Sequence, residues 1–174
     1  MVLDYDNPRA ARISIKRMED IKLRQVETAG DADIARTIFR EYEAWLGLDL
    51  CFQGFEEELK NLPGKYAPPA GRLYLAFAGS ALAGCIAMRD LGEETAEMKR
   101  LFVREEFRGR GIGQTLIERL INDARGCGYR RMRLDTFPPK MRKAVQLYES
   151  YGFREIPAYY QNPNPGVLFM ELEL

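Results

Sequence analysis

Arg108-Gly109-Arg110-Gly111-Ile112-Gly113 is the stretch on which the reading of this chain turns. It follows an apolar segment that ends at Val103 and opens a segment from Gly111 to Cys127. In that segment Ile112, Leu116, Leu120, Ile121 and Ala124 recur on one helical face. The three glycines leave backbone N–H groups unobstructed at a helix start, where the aligned peptide dipoles favour an anion. Arg108 and Arg110 add planar guanidinium groups that match phosphate oxygens. A strand, a short charged loop and a glycine-rich turn opening a helix together read as a pyrophosphate-binding turn. The competing local reading is a solvated basic loop bent by glycines. Two other nucleotide motifs fail. The dinucleotide fingerprint needs a third glycine where this chain has Gln114 or Leu116, and the P-loop needs a Gly-Lys-Ser/Thr that is absent.

Working outward, Glu97 to Val103 is a strand candidate, preceded by the polar turn Gly92-Glu93-Glu94. Before it, Arg72–Ala78 and Ala81–Arg89 are apolar runs joined at Gly79-Ser80, the pattern of a hairpin. Upstream lie a half-buried strand from Ile21 to Val26 and a helix after Asp31 with Ile34, Ile38, Tyr42, Trp45 and Leu46 on one stripe. A short helix is expected over Phe55–Leu62 and a loop over Pro63–Gly71. Downstream, Arg131–Leu134 reads as a strand and Lys140–Tyr151 as a helix with Met141, Ala144, Val145 and Tyr148 on one side, stopped at Gly152. Ile156 and Val167–Leu172 supply closing strands. The order β-α-α-β-β-β-α-β-α-β-β predicts an α/β domain with a mixed sheet and no repeats. Residues 1–20 show no clear period and read as an N-terminal extension, leaving 21–174 as a single domain.

Bulk composition narrows the function classes. Lys plus Arg equals Asp plus Glu at 26 each, so net charge argues for neither nucleic acid nor an anionic membrane as partner. Basic residues are nevertheless concentrated between Lys99 and Arg110 and again from Arg130 to Lys143, which suits a small anionic ligand. The chain has no histidine, which removes Ser-His and Cys-His dyads and most catalytic zinc sites; no metal is expected. Cys51, Cys85 and Cys127 are too few and scattered for a disulfide framework. Cys85 and Cys127 read as packing residues. No run approaches the ~20 apolar residues of a membrane span, and the expected setting is reduced and cytoplasmic.

The hexad fits Arg/Gln-x-x-Gly-x-Gly/Ala, and in this the chain resembles the GNAT superfamily of N-acetyltransferases. The resemblance extends to Glu97-Met98-Lys99-Arg100-Leu101-Phe102-Val103 as the fourth strand and Arg130–Thr136 as the fifth. Ala144-Val145-Gln146-Leu147-Tyr148-Glu149-Ser150-Tyr151-Gly152-Phe153 resembles the last helix with its Gly-Phe. The tail from Asn162 to Leu172 is similar to that of a group of bacterial GNAT proteins. The resemblance implies a central, mostly antiparallel sheet flanked by helices, with its fourth and fifth strands splayed apart. It further implies acetyl-coenzyme A as co-substrate. The pantetheine arm would lie along Leu101, Phe102 and Val103, and the pyrophosphate on the amides of Arg108, Gly109, Arg110, Gly111, Ile112, Gly113 and Gln114. Many relatives carry asparagine where this chain has Met141, so one amide contact near the cofactor is missing.

Acetyl transfer requires a neutral amine, a stabilised oxyanion and a protonated leaving thiolate. An alkylamine has a pKa of ~10, so a base or a water chain must take its proton. Glu97, eleven residues before Arg108, stands where some family members carry a catalytic glutamate; otherwise it is a strand-start residue facing solvent. Tyr148 matches the family's general-acid tyrosine, with a core tyrosine as the alternative. A backbone N–H near Val103 is the expected oxyanion donor. Glu41, Tyr42, Gln53, Tyr159 and Tyr160 are candidates for the acceptor cleft, while Trp45 and Phe52 read as core. The expected function is acetyl transfer to a primary amine of a small molecule, an amino acid or a peptide. The alternative is a CoA-binding regulatory module. A nucleic-acid-binding protein is disfavoured by the zero net charge. Many relatives dimerise, so a homodimer is compatible with the family.

Overall fold

The computed structural model describes residues 21–174; the N-terminal extension expected over 1–20 lies outside the described residues. The elements are strand β1 (Ile21–Gln25), helices α1 (Ala29–Leu46) and α2 (Phe55–Lys60), and strands β2 (Arg72–Ala78), β3 (Ala81–Gly92) and β4 (Thr95–Val103). Helix α3 (Ile112–Gly126), strand β5 (Arg131–Thr136), helix α4 (Pro138–Ser150) and strands β6 (Arg154–Ile156) and β7 (Leu168–Glu173) complete the chain. The order matches the expectation element for element. Boundaries differ where a cap or a turn decides them. Helix α1 starts before Asp31, because Thr28 is the N-cap and Asp31 returns its hydrogen bond as a capping box. Helix α2 stops at Lys60, short of Leu62.

The strands form one seven-stranded sheet in the order β1-β2-β3-β4-β5-β7-β6. All pairings are antiparallel except β4 with β5. Each face carries its own core. On one face α3 and α4 cover Tyr74, Ile86, Met88, Met98, Met132 and Leu134. On the other, α1 and α2 cover Leu73, Leu75, Cys85, Ala87 and Phe102. Ile112, Leu116, Ile117 and Leu120 of α3 are each 1% exposed or less. Each such side chain contributes ~1.5–3 kcal/mol of burial, so α3 and its N-terminal turn are held firmly against the sheet.

Two irregularities in β4 position the site. First, β4 pairs with β5 only from Thr95↔Arg131 to Glu97↔Arg133. Beyond Glu97 the two strands diverge, leaving one edge of β4 with unpaired backbone groups. Second, Cys85 pairs with Phe102 and Ala87 with Lys99, so β4 spends three residues where β3 spends two. The extra residue is a bulge at Arg100, which adopts a left-handed φ of 59°. The bulge exchanges the faces. Glu97 and Lys99 point to the α1–α2 side, whereas Leu101 and Val103 pack into the α3–α4 core and Phe102 takes the opposite face.

Candidate functional site

The turn that joins β4 to α3 is shaped by backbone conformation. After the 3-10 turn Glu105–Phe107, Gly109 and Gly111 take φ of 74° and 80°. Gly111 caps α3 without any side-chain hydrogen bond. From Gly109 to Gln114 no backbone N–H donates to another group among the described residues, and a Cβ added at Gly113 would meet nothing nearer than 3.9 Å. Orphan donors at a helix N-terminus fit a pyrophosphate. The arginine side chains are partly committed elsewhere. Arg108 donates through Nε to the Val103 carbonyl at 2.9 Å and lies over the Trp45 ring. Arg110 donates to the Glu106 carbonyl at 3.0 Å and lies over Phe107. The backbone amides, more than the guanidinium groups, are left without partners for an anion to take.

Below the turn, the gap between β4 and β5 exposes the free edge of the Leu101-Phe102-Val103 segment. The Tyr148 side chain comes up from α4, 3% exposed, its ring 5.7 Å from Phe153. Its hydroxyl makes no hydrogen bond to any described residue. Burial pushes its pKa well above the usual phenol value, with the Tyr42 and Asp135 groups adding to the effect. A phenol that retains its proton and has no partner for it is free to donate to a ligand. Met141, at the missing asparagine position, sits at a kink in α4 with φ −120°. Its sulfur accepts from the Thr136 hydroxyl at 3.6 Å.

On the α1–α2 side of the same gap, β4, β5, the 3-10 turn Cys51–Gln53 and the β6–β7 loop contribute a polar cluster. Tyr160 is its hub. Its hydroxyl donates to Asp135 Oδ2 at 2.7 Å and accepts from Asn162 Nδ2 at 3.0 Å and Gln53 Nε2 at 3.3 Å. Tyr159 stacks edge-on against Tyr160 and donates its hydroxyl to Glu97 Oε1 at 2.9 Å. Burial raises both tyrosines' pKa, with the Glu97 charge next for Tyr159 and the Asp135 charge next for Tyr160. Gln53, Tyr159 and Tyr160, singled out in separate segments of the sequence, are therefore brought together.

Other candidates are placed differently. Glu97 does not face solvent at a strand start: it is 0% exposed, holding Arg89 Nε on Oε2 at 2.5 Å, with Lys99 3.7 Å from Oε1. Glu41 forms a two-pronged pair with Arg104 at 2.7 and 2.8 Å and has no bond to the Tyr160 hub. Tyr42 is buried against Phe102. Phe52 is a correction: read as core, it is 38% exposed beside Gln53, on a short 3-10 turn that buries none of its residues. Trp45 packs partly buried against Phe102 as expected. Asp135, Arg89, Lys99 and Asn162 were missed. The available signal was charge at alternate positions in apolar strands, Glu97 and Lys99 in β4 and Arg133 and Asp135 in β5. Such residues face a common side.

An open sheet split between two strands, with an anion cradle at the mouth of the split and a proton-bearing tyrosine inside it, defines a coenzyme A-dependent acyltransferase. The acetyltransferase (GNAT) family model matches residues 35–153, and the chain belongs to that family. An N-acetyltransferase of Schizosaccharomyces pombe is 39% identical over 89% of this chain and 96% of its own length. One of Dictyostelium discoideum is 35% identical over 86% of this chain and 97% of its own. The N-acetylaspartate synthetase of Danio rerio is 30% identical over 67% of this chain and 42% of its own length. An acetyltransferase from Streptococcus agalactiae superposes with a TM-score of 0.71 at 22% identity, covering 90% of this chain and 99% of that one. A GNAT acetyltransferase from Elizabethkingia anophelis with acetyl-CoA bound superposes at 0.58 with 20% identity, over 90% of this chain and 99% of its own. The protein is an acetyl-CoA-dependent N-acetyltransferase. No helix among the described residues is long and apolar enough to cross a membrane, and no group of His, Cys, Asp and Glu there is arranged to hold a metal.

Proposed function

We propose that residues 21–174 act as one domain that moves the acetyl group of acetyl-CoA to a primary amine by direct attack. The acceptor is a small molecule, an amino acid or a peptide. The observation that carries this reading is the Tyr148 hydroxyl, on a side chain only 3% exposed and without a partner for its proton among the described residues. It donates that proton to the departing sulfur. The amides from Gly109 to Gln114 hold the pyrophosphate, the free edge of Leu101-Phe102-Val103 takes the pantetheine arm, and a β4 amide near Val103 receives the oxyanion. Arg108 and Arg110 line the cradle, with their unused N–H groups directed to phosphate.

The acceptor approaches from the other face of the sheet, beside Phe52, and docks against the hydrogen-bonded Gln53–Tyr160 pair and Tyr159. Two features support a small polar amine there. The cleft is lined by hydrogen-bonding groups, and its charges balance in Arg89–Glu97 and Lys99–Asp135 pairs. An amino acid belongs in the range because a relative is an N-acetylaspartate synthetase. The test is thiol release from acetyl-CoA by purified protein against alkylamines, polyamines, amino acids and short peptides. Acceptor-stimulated release is expected; release by no amine, with CoA binding intact, would overturn the reading.

A further inference from the structure

Glu97 is poorly placed to deprotonate the acceptor. It sits at the last β4–β5 pair, opposite Arg133, at the closed end of the gap. Both of its oxygens carry short hydrogen bonds, from Arg89 on one and Tyr159 on the other. With Lys99 3.7 Å from Oε1 and no exposed surface, the carboxylate offers an incoming ammonium no open approach. Asp135 differs in each respect. It lies two residues beyond that pair, about 7 Å further into the opening at the rise of a strand. Its side chain is 15% exposed where that of Glu97 is 0% exposed. Its Oδ2 is held by Tyr160 at 2.7 Å, but Oδ1 has only a long 3.5 Å contact with Lys99.

Hydrogen-bond accounting around Tyr160 adds a second acceptor. The Tyr160 hydroxyl has one proton, spent on Asp135, so Gln53 must turn its NH2 toward that oxygen. The Gln53 Oε1 atom is then left buried and unpartnered. Leaving a buried acceptor unpaired is unfavourable, and a ligand N–H that reaches it recovers that cost. The Asp135 charge adds to the upward pKa shifts that burial imposes on Tyr148 and Tyr42.

We infer that Asp135 Oδ1 is the proton acceptor for the incoming ammonium, with the Gln53 side-chain oxygen as a second hydrogen-bond acceptor. Glu97 is a positioning residue that fixes Arg89, Lys99 and Tyr159. This rests on the acetyl-transfer reading above. In the step, Asp135 takes one proton from R–NH3+ and passes it to solvent through the cleft. The neutral amine forms the N–C bond, and the carbonyl electrons move to oxygen and return as the C–S bond breaks. Tyr148 gives its proton to sulfur and is reprotonated by the second proton leaving nitrogen. One amide N–H remains.

The test compares wild type, Asp135→Asn and Glu97→Gln on whichever of ethanolamine, putrescine, glycine and glycinamide the wild type acetylates best. Initial rates are taken at about pH 7 and about pH 9.5, with CoA-induced thermal shift as the folding control. Asp135→Asn should lose roughly 10²–10⁴-fold at pH 7. It should recover most of that loss at pH 9.5, where free amine forms without a base. Glu97→Gln should change the rate by a similar factor at both pH values. An Asp135→Asn rate within a few-fold of wild type at pH 7 would overturn the inference, and so would an equal loss at both pH values. A wild type inert toward the whole set would overturn the amine-acetylation reading for these acceptors and the inference with it.

Discussion

Arg100 and Glu58, 42 residues apart, face each other as a two-pronged ion pair, Nε to Oε1 at 2.9 Å and Nη2 to Oε2 at 3.0 Å. The pair ties the β4 bulge to α2 in a setting where the two residues are only 5% and 8% exposed. Burial alone would raise the Glu58 pKa. The Arg100 hydrogen bonds and charge, with Lys65 at 2.9 Å, overturn that and depress it from 4.5 to about 2. Removing Arg100 strips the buried Glu58 carboxylate of its two-pronged partner and leaves it only Lys65. Arg100→Ala should therefore destabilise the protein by ~3–5 kcal/mol in urea unfolding at neutral pH.

The same carboxylate gives a pH dependence. A folded-state pKa below the unfolded value contributes stability that is present above about 4.5 and is lost as pH falls toward about 2. Wild type should lose stability across that interval. Glu58→Gln should be less stable at neutral pH and show a flatter acid limb. Urea midpoints at about pH 7, 4 and 3 measure both; a parallel pH dependence in the two proteins would contradict the assignment.

Tyr148→Phe keeps the ring that packs on Phe153 and removes only the hydroxyl. Turnover should fall by roughly 10²–10⁴-fold, while CoA affinity stays within about threefold. Steady-state kinetics and a CoA titration separate these quantities. Unchanged turnover would reassign Tyr148 to the core.

Gly111→Ala places a Cβ at φ 80°, a conformation that L side chains rarely adopt. Strain of about 1 kcal/mol would tilt the amides that open α3. The KM for acetyl-CoA should rise about tenfold with a smaller change in kcat. Equal KM values would show that the phosphates are held elsewhere.

Tyr160→Phe removes the hub shared by Gln53, Asn162 and Asp135. The acceptor KM should rise by about tenfold or more while the acetyl-CoA KM is little altered. Competition kinetics with each substrate varied in turn checks this.

Element order was legible because its signals are local. The α1 stripe, the Gly79-Ser80 hairpin and the apolar face of α3 each follow from spacing within one segment. The shape of the turn that opens α3 was equally legible, because it rests on consecutive φ angles that only glycine adopts readily. Phe52 misled because an aromatic at a turn gives no local sign of whether it points inward. Glu97 shows the deeper limit. Its spacing from Arg108 is a chain distance, but whether a carboxylate can accept a proton depends on which donors surround it. Those donors come from β3, β4 and a loop about sixty residues later.

By itself, then, the sequence determined the family, the element order and the glycine turn before α3, all encoded in runs of adjacent residues. Tertiary structure decided which polar side chains meet beside the strand gap. Gln53, Asp135 and Tyr160 meet only because β4 and β5 part after Glu97, which leaves that stretch of the sheet to be covered by the β6–β7 loop. The bulge at Arg100 reverses the simple alternation of β4, so no two-residue count along the strand assigns Leu101 and Val103 to their face. The physical reason is that register and strand divergence are set by packing on both faces of the sheet at once, and no single segment carries that information.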